Sequence, residues 1–255
     1  MRMTDSHCHF DFDVFSAQRA QHWQQAQQLG VHRLVIPGVA ENQWLHLPEL
    51  CEQYSGLYYG LGLHPWWLAH ATAHWQGRLR NALKKKSVHC VALGEIGLDQ
   101  SCSVRAEQQE AALVAQLKLA NEFALPVLLH SHKTHDRILK WLRRYPVVGG
   151  VIHGFSGSLQ EAEAFWALGI HLGVGGTITY PRANKTRQAI AAMPLESLVL
   201  ETDAPDMPLS GFQGQDNHPA QLPLVLDALA ELRERDLATL APQLEQNVAT
   251  LFGWC

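Results

Sequence analysis

No run of apolar residues in this 255-residue chain approaches the roughly 18 needed to cross a bilayer, so a membrane-spanning helix is not expected. The N-terminus lacks a basic segment followed by an apolar one, so no secretory signal peptide is expected either. Cysteine is sparse and unpaired in pattern: Cys8, Cys51, Cys90, Cys102 and Cys255 make an odd count with no Cys-x-x-Cys. That argues against a disulfide framework or a zinc–thiolate centre and for a reducing, cytoplasmic location. Basic charge is in deficit, with 20 Lys+Arg against 24 Asp+Glu and a net charge of −4. A protein that grips long nucleic acid usually carries a basic surplus, and this one has none. The densest basic run, Lys84-Lys85-Lys86, reads as the solvated end of a helix. No G-x-G-x-x-G or Walker loop occurs, which weighs against an open nucleotide-binding sheet. Charged residues reach only 17% while apolar ones reach 47%, so disorder is not expected and a sizeable core is.

Short apolar, β-rich runs alternate with longer helical patterns. The expected strands are Arg2–His9, Arg33–Gly38, Leu57–His64, Val88–Glu95, Pro126–His130, Gly149–His153, Ile170–Gly175 and Leu198–Asp203. The expected helices are Ala17–Leu29, Glu41–Tyr54, His74–Lys86, Arg105–Phe123, His135–Tyr145, a segment from a Ser158 cap to Leu168, Arg182–Met193, Ala220–Arg235 and Leu237–Leu251. Ser158 with Glu161 three residues on is a capping-box pattern. Eight strand–helix units imply parallel strands joined by helical crossovers. Packed into about 250 residues, they favour a closed (β/α)8 TIM barrel, one domain over 1–255.

Histidine is abundant, at 15 residues. Six expected strands end in a metal-ligand type: His7 and His9, His64, Glu95, His130, His153 and Asp203. In a barrel of this kind, strand C-termini converge on one pocket, so residues distant in sequence would meet there. Each piece alone is weak, because so many histidines give about one His-x-His pair by chance. The joint pattern is what carries the reading. Alternation along a strand turns His7 and His9 to one side and Cys8 to the other. The same parity sets Asp5 with the histidines and Glu201 with Asp203, either to orient ligands or to form a buried polar network. Imidazoles and carboxylates together suit zinc, manganese, iron, cobalt or nickel. Four histidines and two carboxylates are enough for two ions with one carboxylate bridging, a role open to Glu95 or Asp203.

The segments Asp5-Ser6-His7-Cys8-His9-Phe10-Asp11, Gly62-Leu63-His64-Pro65, Gly94-Glu95-Ile96-Gly97-Leu98-Asp99, Leu129-His130-Ser131, Ile152-His153-Gly154-Phe155-Ser156-Gly157-Ser158 and Glu201-Thr202-Asp203-Ala204-Pro205 stand in an order that resembles the TatD-type metal-dependent hydrolases, a branch of the amidohydrolase-like barrels. The resemblance covers essentially the whole chain. It implies two divalent ions, with magnesium, manganese and zinc as the metals to test. His7, His9 and Asp203 would hold one, Glu95 would bridge, and His130 and His153 would hold the other. His64 would lie near the substrate rather than on metal. It also implies hydrolysis of phosphodiesters, as in relatives that act as 3′-to-5′ exonucleases on single-stranded DNA, with RNA as a further substrate. Asp203 would be the general base, and His64, His132 or Lys133 would stabilise developing charge.

Three segments depart from the pattern of these relatives: Gln100-Ser101-Cys102-Ser103-Val104-Arg105, His130-Ser131-His132-Lys133, and Asp206-Met207-Pro208-Leu209-Ser210-Gly211-Phe212. They alter groups that would hold phosphates while leaving the metal ligands intact. A small amide, ester or phosphoester substrate is therefore the alternative, and a non-catalytic metal-binding or partner-binding role is the third. Trp66 and Trp67 are expected to pack the third strand–helix loop, with stacking on a base as the other role. Partners other than nucleic acid ends are not expected, and the chain is expected to act as a monomer.

Overall fold

The computed structural model describes residues 1–254. Eight parallel strands form one sheet in sequence order: β1 Met3–Asp5, β2 Val31–Pro37, β3 Leu57–Leu61, β4 Cys90–Asp99, β5 Val127–His132, β6 Gly150–Ile152, β7 Ile170–Val174 and β8 Leu198–Leu200. The helices are a short α1 at Asp13–Ser16, then α2 Arg19–Gln28, α3 Gln43–Gln53, α4 Trp75–Lys84, α5 Ala106–Glu122, α6 His135–Arg144, α7 Leu159–Trp166, α8 Asn184–Ala192, α9 Leu222–Arg233 and α10 Leu237–Phe252. Every expected strand and helix is present, so the α/β barrel read from the sequence is the observed fold.

Alternation builds two apolar layers. On β2, Leu34 and Ile36 belong to the large cluster beneath the helices, while Val35 belongs to a second, smaller cluster. Ala92, Leu128, Val151 and Val199 join Val35 from four other strands, and Val248 and Phe252 of α10 pack against them. The barrel interior is therefore filled by side chains, with α10 plugging one end. Helices turn one stripe to the sheet, as in α6, where Ile138, Leu139 and Leu142 are buried and Asp136, Lys140 and Arg143 lie outside that stripe. The Ser158–Glu161 capping box at α7 is formed in both directions.

Closure comes between β1 and β8. Ser6 N–H donates to Leu200 O at 2.9 Å, and Asp203 N–H donates to His7 O at 2.8 Å. The Asp5 carboxylate completes the seam: it accepts from Thr202 N–H at 3.0 Å and from Thr202 Oγ1 at 2.6 Å. Asp5 thus ties two strands together.

Candidate metal centre

Most expected strands are shorter than the patterns suggested, and the difference falls where the chemistry is. His7, His9, His64 and Asp203 lie in loops just past β1, β3 and β8, and His153 follows β6 directly. Only Glu95 and His130 sit inside strands. The ladder ends early because the backbone there is held by cross-strand loop contacts instead. His64 N–H donates to Val39 O and His9 N–H to Ala204 O, at 2.9 and 2.8 Å. The polar ends still converge.

Glu95 is the hub. Its Oε2 lies 3.4 Å from His7 Nε2 and 3.6 Å from His9 Nε2. Its Oε1 lies 2.9 Å from His153 Nε2, 3.1 Å from His130 Nδ1 and 3.5 Å from His64 Nε2. One carboxylate therefore divides five imidazoles into two groups. Asp203 Oδ1 adds itself to the first, 3.4 Å from His7 Nε2 and 3.6 Å from His9 Nε2. His153 stacks on His7, ring centroids 4.0 Å apart, and joins the two groups. His64, which the resemblance sets beside the substrate, falls within the second group with Glu95 and His130.

A residue absent from the expected ligands completes this arrangement. Asp99, at the end of β4, accepts from His130 Nε2 at 2.9 Å and from Trp66 Nε1 at 2.9 Å. With His130 Nε2 against Asp99, its Nδ1 faces Glu95 Oε1 and His153 Nε2; burial disfavours charge on this ring, but hydrogen bonds to Asp99 and Glu95 raise its pKa, so a metal at Nδ1 would replace a proton there. A carboxylate that orients an imidazole in this way is the usual support of a metal-binding histidine. β4 was expected to stop at Glu95. It runs four residues further, past an irregularity between Leu93 and Ile96, and that extension positions Asp99.

Burial would raise the Glu95 carboxyl, but the imidazoles of His153, His64 and His7 hold it well below the usual range. Burial lowers His7 to about 4 and His9 and His64 to about 3, so these rings are neutral lone-pair donors at pH 7. Burial also disfavours charge on His153, but Glu95 and Asp203 raise it to about 10. Burial raises Asp203 to about 7 and Glu201 to about 8. Glu201 accepts from Gly154 N–H beneath the site and keeps its other oxygen without a partner. Gly173 makes room for it, since a Cβ there would overlap the Glu201 carboxylate.

Buried polar atoms normally find partners. Here His7 Nδ1 and Nε2, His9 Nδ1, His153 Nδ1, Glu201 Oε2 and Asp203 Oδ1 have none. The spacings of 3.4–3.6 Å among His7, His9, Glu95 and Asp203 are what donors each about 2.1 Å from one shared ion would show. The residues present fit two divalent ions.

Around this centre, Trp66 and Trp67 are 59% and 43% exposed, so they do not pack the loop as expected. The short 3-10 turn Pro65–His70 buries Pro65 and turns both indoles outward. His132 and Lys133 line a cavity of about 530 Å³ with Ser156 and Glu161, beside rather than within the histidine cluster. A cleft of about 790 Å³ is elsewhere, lined by Arg2, Arg33, Glu245 and Trp254 at the opposite end of the barrel. Its acid is partnered and, among the described residues, no metal-ligand cluster lines it, so the donor set and not cavity size marks the site. Of the other histidines, His22 and His218 pair with each other at 2.8 Å.

A family model described as TatD related DNase matches residues 4–253. YjjV of Escherichia coli K12, an uncharacterized metal-dependent hydrolase, is 48% identical over 99% of this chain and 98% of its own length. The crystal structure of YjjV superposes with a TM-score of 0.96, covering 99% of this chain and 98% of that one. The 3′-5′ ssDNA/RNA exonuclease TatD of E. coli K12 is 34% identical over 88% of each chain.

Proposed function

The chain belongs to the TatD-related DNase family, and from that premise we propose that it is a divalent-metal-dependent phosphodiesterase that removes nucleotides from the 3′ end of single-stranded DNA or RNA. The observation that carries the reading is Glu95, with one oxygen turned to His7 and His9 and the other to His64, His130 and His153. His7, His9, Asp203 and Glu95 Oε2 would hold one ion; His130, His153 and Glu95 Oε1 would hold the other, with His64 in reach. Bound there, divalent ions lower the pKa of water and offset charge on a phosphoryl oxygen. The chain supplies the rest. Asp203 turns Oδ1 to His7 and His9, and its carboxylate takes the proton of the attacking water as general base. Asp99 keeps His130 oriented. Glu201 supports the site from behind by accepting from Gly154 N–H, next to His153. His64 flanks the substrate side and stabilises charge as the bond to the leaving oxygen breaks.

Free thiols at Cys8, Cys51, Cys90 and Cys102 support a reducing, cytoplasmic setting. Among the described residues, no helix is long and apolar enough to cross a membrane. Hydrolysis of a small ester, amide or phosphoester is a second reading, favoured by Asp206. This acid is exposed beside the site, and its ionised carboxylate would repel a second phosphate. The test is a gel assay of single-stranded DNA and RNA, labelled at the 5′ end, with magnesium, manganese or zinc. Shortening from the 3′ end that is absent in Glu95→Gln and Asp203→Asn supports the exonuclease. Intact oligonucleotides, with turnover of a small phosphoester, support the second reading.

A further inference from the structure

Beside the metal centre lies a second cavity that the proposed chemistry does not use. It measures about 600 Å³ and is lined by Asp11, Phe12, Val39, Gln43, Trp67 and Pro205, among others. That falls within the ~300–1,000 Å³ of sites that enclose small ligands. Two of its lining residues adjoin the metal centre. Phe12 stacks on His9 with ring centroids 4.6 Å apart, and Pro205 stands two residues after Asp203.

Its lining combines flat apolar groups with one fixed acceptor. Phe12 is half-buried, and the Trp67 indole is 43% exposed, free to cover a planar ring. The Asp11 carboxylate is held from one side only. Gln43 Nε2 donates to its Oδ2 at 2.7 Å, and Gln43 is itself anchored by accepting from Val39 N–H and Ala40 N–H at 2.6 and 2.8 Å. Arg19 makes no hydrogen bond to the carboxyl; its guanidinium donates to the carbonyl oxygens of Phe10, Asp11 and Phe12 and so stiffens the loop. Asp11 Oδ1 is left buried with no partner. Burial raises the Asp11 carboxyl above its usual range while the Gln43 hydrogen bond favours its ionised form; an unpartnered carboxyl oxygen with a free lone pair, fixed by a network behind it in a residue that lines an aromatic-walled cavity, is a recognition element for a donor.

We propose that this cavity seats the base of the 3′-terminal nucleotide, and that Asp11 Oδ1 accepts a hydrogen bond from an exocyclic amine on its Watson–Crick edge. The proposal rests on the exonuclease reading and deepens it to base preference. Stacking on Phe12 and Trp67 tolerates any base. The Asp11 acceptor does not. Cytosine offers an amine at C4, whereas uracil offers a carbonyl there that repels the carboxylate.

The experiment compares 5′-labelled oligonucleotides identical except for a 3′-terminal dC or dU, with manganese-loaded protein. The expected kcat/KM ratio is about tenfold or more in favour of dC, the size of a hydrogen bond to a charged group. Asp11→Asn keeps the Gln43 hydrogen bond through its carbonyl oxygen and points an N–H where the free acceptor stood. Its dC preference is expected to vanish or reverse, while Trp67→Leu lowers kcat/KM on both substrates and keeps their ratio. Melting temperature and bound manganese verify that each variant is folded and loaded. A wild-type ratio near one, or a ratio unmoved in Asp11→Asn, overturns the proposal while leaving the exonuclease intact. Should no oligonucleotide be cut, calorimetric titration with dCMP and dUMP decides. Preferential dCMP binding that Asp11→Asn abolishes upholds the base seat and discards the exonuclease. Equal or absent binding of the two discards both.

Discussion

The two ends of the barrel carry similar residue types and treat them in opposite ways. At the end plugged by α10, His32 Nδ1 pairs with Met3 O at 2.9 Å, and its Nε2 lies 3.4 Å from Glu245 Oε2, which also accepts from Thr4 Oγ1 at 3.2 Å. Arg33 covers the Trp254 ring at 4.6 Å. At the other end, His7, His9, His153 and Asp203 are more deeply buried and leave ring nitrogens or an oxygen without partners. Open atoms of ligand type are gathered in one cluster at this end, whereas elsewhere they are scattered singly, as at His89 Nδ1 and His171 Nδ1. A cluster of buried open groups at the strand C-termini points to a ligand that completes it. The larger cleft lies at the α10 end, so volume by itself points the wrong way.

Glu95→Gln should break this contrast most severely. It keeps the shape of the hub but removes its charge, and kcat/KM should fall by about 10³-fold or more. Steady-state rates on an oligonucleotide or a small phosphodiester measure it, with circular dichroism verifying the fold. The next effect is of pH. His153, raised to about 10, must shed its proton to act as a metal ligand, whereas His7, His9 and His64 are already neutral at pH 7. Metal affinity should therefore weaken as pH falls, about tenfold per unit from pH 9 and more steeply towards pH 6, where Asp203, raised to about 7, also takes up a proton. Manganese titrations at several pH values give the slope, and a flat profile would show that His153 does not bind metal through a titrating nitrogen.

Asp99→Asn sharpens the contrast further. It weakens the orienting hydrogen bond to His130 and should cost about 10–100-fold in metal affinity or activity. The matching change at the α10 end is Glu245→Gln, which should alter stability by less than about 1 kcal/mol, because His32 is lowered to about 4 by burial and is neutral at pH 7. Urea unfolding measures this, and metal content should be unaffected.

The convergence of these residues was legible in the sequence because a parallel barrel sends every strand end to one face, whatever the loops do. His7 and His9 show how far parity reaches: they converge on Glu95 Oε2 although β1 stops at Asp5. Ser158 and Glu161 were legible for a local reason, since a capping box needs only its own turn. Three features were not. Asp99 was hidden because β4 appeared to end at Glu95, yet its even spacing from Glu95 was the available signal. Trp66 and Trp67 resemble core residues by composition, and only the 3-10 turn after His64 shows them facing outward. Asp5 shares the parity of the histidines but serves the β1–β8 seam, a contact across 197 positions that no local pattern reveals.

The central claim is that Glu95 divides its two oxygens between two divalent ions. Anomalous scattering from crystals of the wild-type protein and of Glu95→Gln, both grown with manganese, tests it most directly. The account predicts two wild-type peaks, one among His7, His9 and Asp203 and one beside His130 and His153, with at least one lost in the variant. Wild-type crystals with no peak at these residues, or a variant that keeps both at full occupancy, would contradict it.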